Sequence, residues 1–158
     1  MKKKILFVCL GNICRSPAAE AVFINLLRKN NLQDKFDVDS AGTGGWHVGK
    51  KADSRMREAA LRRGIKIESI ARQINEKDFN YFDIIITMDS DNYKNVLNLS
   101  KQCNLAFVPD VRPMLTFSST FNCKDVPDPY YGGDEGFENV LNMLDLACSG
   151  LIEQLIND

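Results

Sequence analysis

One stretch near the amino terminus, Cys9-Leu10-Gly11-Asn12-Ile13-Cys14-Arg15 followed by Ser16-Pro17, leaves the backbone few options. Before it, Ile5-Leu6-Phe7-Val8 is a continuous apolar run, the pattern of a short strand covered on both faces. After it, Ser16 suits a helix N-cap and Pro17 the first helical position, where a missing N–H costs nothing. Strand and helix must therefore be joined by a tight turn of about five residues. Gly11 and Asn12 are the residues there that accept positive φ at least cost.

A turn of this kind gathers backbone N–H groups around a hollow, and the following helix adds its positive end, so the loop is an anion site. The same field favours a thiolate, which makes Cys9 a candidate nucleophile. Arg15 can fold back and hold two oxygens of a phosphate with its planar fork. The Ser16 hydroxyl is placed to donate to the Cys9 sulfur. The competing reading is a buried Cys9 packed as a small hydrophobe, with Arg15 on a solvated helix start. Strand, Gly-Asn turn and Ser-Pro in sequence favour the anion site.

Along the rest of the chain, strands alternate with helices and no internal repeat is visible. Residues 16–30 form a helix with Ala19, Val22, Phe23 and Leu26 on one face. Residues 36–40 read as a strand, and Asp53 or Ser54 caps a helix that Gly64 ends. Ile84-Ile85-Ile86-Thr87 is a buried strand, followed by a helix from about Ser90 to Leu99. Leu105-Ala106-Phe107-Val108 reads as a fourth strand ended by Pro109, and residues 110–133 as one long, functional loop. The last helix begins near Asp134 and carries the apolar stripe Phe137, Val140, Leu141, Leu144, Cys148, Leu151, Leu155. This alternation predicts an α/β fold with an open parallel sheet and helices on both faces. Ligands of such sheets sit beyond the carboxyl ends of the strands, where the loop after Cys9 lies.

The 158 residues, 44% of them hydrophobic, suit one domain spanning 1–158. A formal net charge of -1 gives no basic field for nucleic acid. Lys2-Lys3-Lys4 precedes too short an apolar run for a secretory signal, and no segment has the length of a membrane span, so a cytoplasmic protein is expected. Five cysteines, an odd number without regular spacing, fit reduced thiols. A single histidine and no Cys-x2-Cys pair argue against zinc; no metal or cofactor is expected.

The loop Val8–Pro17 closely resembles the phosphate-binding loop of the low-molecular-weight protein tyrosine phosphatases. The resemblance continues through Asp39-Ser40-Ala41-Gly42-Thr43, Trp46-His47-Val48-Gly49, Ala71-Arg72-Gln73, Met88-Asp89 and Asp128-Pro129-Tyr130-Tyr131, in the family's order. It implies a four-stranded parallel sheet ordered 2-1-3-4 with the phosphate-binding loop after strand 1. It also implies hydrolysis of phosphotyrosine monoesters in proteins, and of small aryl phosphates, through a cysteinyl phosphate on Cys9. By turn statistics alone Asp128-Pro129 is a turn signal; by the resemblance Asp128 is the general acid, then the base toward water.

The resemblance places Leu10, Trp46, Tyr130 and Tyr131 around the pocket mouth, and gives Gly11, Ile13 and Cys14 to the phosphate loop. It assigns Asn12 and Ser40, with Ser16, to the hydrogen bonds that support that loop. Some family members complete this network with a histidine where this chain has Ser69, which leaves a third contact open. Asp89 resembles a carboxylate that pairs with Arg15 or backbone, with helix capping the other reading. Cys14 can trap oxidised Cys9 as a disulfide in this family, and the tyrosine pair can be phosphorylated. The partners implied are phosphotyrosine-containing proteins; a monomer is expected, and the aromatics around the pocket leave weak self-association open. Arsenate reductases of the same fold carry a pair of further cysteines on a segment after the loop, whereas no cysteine occurs here between Cys14 and Cys103. Protein arginine phosphatases typically carry threonine at the position of Ile13 and lack the double tyrosine. A catalytically idle phosphopeptide-binding module would be expected to lose Cys9, Arg15 or Asp128.

Overall fold

The computed structural model describes residues 1–105, 109–130 and 133–157. Four strands, β1 (Lys3–Cys9), β2 (Phe36–Gly42), β3 (Ile84–Thr87) and β4 (Asp110–Pro113), form one parallel sheet in the order β2-β1-β3-β4. β1 lies centrally, pairing from Lys3↔Phe36 to Cys9↔Gly42 on one side and from Ile5↔Ile84 to Val8↔Thr87 on the other. Its side chains alternate between two cores, as the period of a strand requires. Ile5, Phe7 and Cys9 face the larger core with α1 (Arg15–Lys29), α2 (Ser54–Leu61) and α5 (Asp134–Ile156). Leu6 and Val8 face the smaller one with α3 (Glu76–Tyr81) and α4 (Ser90–Gln102).

The amphipathic helices pack as their patterns predict. Ala19, Val22 and Phe23 of α1 are buried and Leu26 half-buried, with Leu27 completing the face. Phe137, Val140, Leu141, Leu144, Cys148 and Leu151 of α5 are all buried. Phe23 stands edge-on between Phe7 and Phe36, an arrangement favoured by the ring quadrupoles. Asp53 caps α2 by accepting from the Arg55 N–H, and Gly64 takes a φ of 76° beyond its end.

The carboxyl side of the chain departs from the expectation in three places. The fourth strand is Asp110–Pro113, one residue-block later than predicted; of the predicted strand, residues 106–108 lie outside the described residues. β4 pairs with β3 alone, from Ile84↔Asp110 to Thr87↔Pro113. As an edge it carries polar residues and ends in a proline, both disqualifying in a central strand but tolerated there. The segment read as one long loop therefore contains a strand, and then a 3₁₀ turn over Met114–Phe117 that buries Met114, Leu115 and Phe117. The short helix α3 was not anticipated. Its cap is reciprocal: Asn75 accepts from the Lys77 N–H, and the Asp78 carboxylate accepts from the Asn75 N–H.

Candidate active site

The loop after β1 is held at its centre by the Asn12 side chain. Asn12 adopts a φ of 57°, as the sequence allows, whereas Gly11 does not take positive φ. Gly11 instead gives room to His47: a Cβ there would lie 2.8 Å from its Cδ2, so the imidazole would have to move. The Asn12 carboxamide donates to Ser16 Oγ at 2.7 Å and to Ser40 Oγ at 3.0 Å, and accepts from the Arg72 N–H at 3.0 Å. That last bond sets which end of the amide faces which partner. Its backbone N–H points at Cys9 Sγ, 3.3 Å away.

Ser16 does not cap α1. The helix starts at Arg15, two residues earlier than a Ser16 cap would set, with Cys14 in the cap position and no side chain bonded to the first turn. Pro17 is correspondingly the third helical residue rather than the first. The Ser16 hydroxyl is committed inward, 3.0 Å from Cys9 Sγ. Leaving the first turn uncapped keeps its N–H groups available to an anion.

Arg15 is 3% exposed, and its Nη1 donates to Asp89 Oδ2 at 2.6 Å and to the Val126 carbonyl at 3.0 Å. Nη2 lies 3.7 Å from Asp128 Oδ2. Burial alone would lower the guanidinium pKa, but the Cys9 sulfur and the Asp89 and Asp128 carboxylates outweigh it and raise it. Asp89 meets both readings at once, because Oδ1 accepts from the Asn92 N–H as the N-cap of α4 while Oδ2 holds Arg15. The end of β3 is thereby tied to the loop after β1.

Asp128 is exposed, and its Oδ1 accepts from the Tyr130 N–H at 3.0 Å in a local turn. The segment carrying it is anchored by Val126, fully buried, whose N–H donates to the Met88 carbonyl at 2.7 Å. Asp125 adds an exposed tie, accepting from the N–H and hydroxyl of Ser90. On the outer side Arg55 donates to the Tyr130 carbonyl at 2.9 Å.

These elements enclose a cavity of about 360 Å³ with Cys9 and Arg15 at its base and Leu10, Ile13, Trp46, Asp128 and Tyr130 around it. Trp46, 69% exposed, forms an outer wall and packs so closely on Gly44 that a Cβ there would lie 1.8 Å from the indole. Tyr131 lies outside the described residues. Cys14 also reaches the cavity but is itself buried, and burial, with Asp53, Cys9 and Asp128 adding to it, pushes its thiol well above the ordinary range. No group of three or more metal-ligating side chains gathers among the described residues.

Two site residues were missed by sequence reasoning. His47 lines the cavity and lies 6.4 Å, ring to ring, from Tyr130; its position in the Trp-His-Val-Gly block was the available signal. Glu20 accepts from Ser40 Oγ at 2.5 Å and supplies the network contact that Ser69 left open. Nothing in a lone glutamate on a helix reveals that role without the fold.

A parallel sheet whose central strand ends in a thiol, faced by a buried guanidinium and a carboxylate inside an aromatic-walled cavity, defines an α/β phosphate-binding protein. Residues 4–158 match the family described as low molecular weight phosphotyrosine protein phosphatase. A member from Schizosaccharomyces pombe is 47% identical over 137 residues, covering 85% of each chain. A protein tyrosine phosphatase structure from Entamoeba histolytica superposes with a TM-score of 0.93 at 45% identity, over 99% of this chain and 98% of that one. A Drosophila arginine phosphatase structure superposes with a TM-score of 0.91 at 31% identity, over 98% of both chains. The chain belongs to the low molecular weight phosphotyrosine protein phosphatases.

Proposed function

We propose that this protein hydrolyses phosphotyrosine monoesters in proteins by way of a cysteinyl phosphate on Cys9. The observation that carries the reading is the single cavity shared by Cys9, Arg15 and Asp128. A phosphoryl group seated over Cys9 meets the Asn12 loop, the uncapped first turn of α1 and the Arg15 fork, all donors suited to a transferring phosphoryl group. The Cys9 thiolate attacks phosphorus, the P–O bond to the tyrosine breaks, and the leaving oxygen takes a proton from Asp128. Water then attacks the cysteinyl phosphate, giving its proton to the Asp128 carboxylate. The S–P bond breaks, and inorganic phosphate leaves with the thiolate restored. Expelling a phenolate whose conjugate acid has a pKa near 10 makes the first proton transfer worth about 10²–10⁴-fold.

The arginine phosphatase superposes nearly as well as the tyrosine phosphatase, so the backbone does not separate the two substrates. The walls favour the aryl ester. Leu10, Ile13, Trp46 and Tyr130 offer apolar and aromatic surface to a phenyl ring, and Ile13 brings no hydroxyl to a guanidinium. We assign the protein to the cytoplasm on the same reading; none of its described helices is long and apolar enough to cross a membrane.

Phosphate release from a phosphotyrosine peptide, with EDTA present and with phosphoserine and phosphoarginine peptides in parallel, tests the assignment. Wild-type turnover confined to phosphotyrosine is expected, with at least about 10⁴-fold loss in Cys9→Ser and about 10²–10³-fold in Asp128→Ala. Preference for phosphoarginine would replace the substrate assignment. Full activity in Cys9→Ser would remove the covalent mechanism.

A further inference from the structure

The hydrogen bonds around Cys9 do not stop at the loop. They run unbroken from the sulfur to Ser16 Oγ, to the Asn12 carboxamide, to Ser40 Oγ and to Glu20 Oε1, at 3.0, 2.7, 3.0 and 2.5 Å. The direction of every proton follows from what each group can do. Asn12 Oδ1 is occupied by the Arg72 N–H, so its amide nitrogen faces the two serines and spends one proton on each. Each hydroxyl, having accepted, must donate onward. Ser40 donates to Glu20, and Ser16 donates to the Cys9 sulfur, its other oxygen contact being the longer approach to the Ala41 carbonyl at 3.4 Å.

We propose that Glu20 is a positioning residue for the nucleophile: as the terminal acceptor it locks Ser40 and Asn12 in the orientation that aims the Ser16 proton at Cys9. This rests on the nucleophilic role proposed above for Cys9. A carboxylate does it better than a neutral group, because a charged acceptor makes the shorter and stronger bond.

Glu20 sits half-buried on α1 beneath a second cavity of about 280 Å³, whose other walls include Arg28, Lys66, Glu68 and Ser69. From β2 and the segment after residue 70, Asp39 and Arg72 face it. Burial pushes its pKa up to about 7, with Asp39 adding to the rise and the Ser40 bond and Arg72 opposing it. The folded pKa thus exceeds the unfolded one, so this residue favours folding below its ordinary carboxylate range and loses that contribution as pH rises through about 7. Above about pH 7 the fold therefore carries Glu20 as an ionised acceptor at a cost in stability.

The experiment is the pH dependence of Cys9 alkylation by iodoacetamide, with kcat and KM on p-nitrophenyl phosphate, in wild type, Glu20→Gln, Ser40→Ala and the double variant. Glu20→Gln keeps the shape of the side chain and removes its charge. We expect its alkylation midpoint to move to higher pH and an inflection near pH 7 in the wild-type profile to vanish. We expect kcat at pH 8 to fall about threefold to tenfold with KM little changed. Ser40→Ala should move the midpoint the same way, and the double variant no further than Ser40→Ala alone, because the two residues act in series. Thermal melting at pH 8 should show Glu20→Gln at least as stable as wild type. A midpoint that moves to lower pH would mean that Glu20 acts on the thiol only as a nearby negative charge. An unmoved midpoint in both single variants, with stability alone altered, would overturn the proposal. Loss of turnover by wild type itself, with alkylation shifts intact, would instead count against the phosphatase reading and leave the relay standing.

Discussion

The two loops that meet over the cavity are built on opposite plans. The Cys9–Ser16 loop has its key side chains buried: Asn12 is 2% exposed, Arg15 3%, Ser16 fully hidden. Its polar atoms are tied to one another, to β2 through Ser40 and to β3 through Asp89. The segment carrying Asp128 is more exposed, and it is anchored by two buried residues, Val126 and Pro129, with polar ties from Ser90 and Arg55 at its edges. The difference follows from their proposed tasks. A phosphoryl cradle stabilises developing charge only if its donors are fixed beforehand. A proton donor must let a protein side chain in and out, and so is placed on a segment with few fixed contacts.

Arg15→Lys is the strongest test of the rigid half. Lysine keeps the charge but has a single donor head, so it cannot hold Asp89, the Val126 carbonyl and two phosphate oxygens together. A loss of about 10²–10³-fold in kcat/KM is expected, comparable to removing a donor from an oxyanion site. Near wild-type kinetics would show that net charge suffices and that the fixed geometry is irrelevant. Val126→Ala tests the more exposed half. Removing the buried anchor should cost about 1–3 kcal/mol of stability by denaturant unfolding. The kinetic signature is more telling: kcat on phenyl phosphate should fall about tenfold while that on a phosphate of a very acidic phenol barely changes. Equal losses on both would mean that the substitution disturbs the cradle and not the acid.

The same contrast explains what the sequence revealed. Strand, turn and helix around Cys9 were legible because local rules converge there: an apolar run, a residue able to take positive φ, and a proline at a helix start. The exact helix boundary was not, since Ser16 has a capping residue's chemistry but spends it on Cys9, a choice made by tertiary contacts. β4 was misplaced because an edge strand with Asp110 and Arg112 lacks the hydrophobic signal that marks β3. The sheet order came from family resemblance, as periodicity says nothing about which strands are neighbours. Asp128 was identifiable only through that resemblance, for an Asp-Pro in isolation marks a turn. Glu20 was invisible because its role depends on Ser40, twenty residues away and on a different element.

The smallest effect should come from the outer tether. Arg55 donates to the Tyr130 carbonyl and packs its guanidinium 5.5 Å from the centre of the Tyr130 ring, while Asp53 holds it from below. Exposed ion pairs of this kind contribute little to stability and are screened by salt. Arg55→Gln should therefore leave unfolding nearly unchanged and raise KM for phosphotyrosine peptides about twofold to fivefold, as the wall formed by Tyr130 loosens. Wild type should approach the variant as salt rises, because the contact being lost is the screened one. A loss of tenfold or more, independent of salt, would place this exposed contact on a par with Val126. The acid-bearing segment would then be a second rigid cradle, and the division of labour between the two loops would fall.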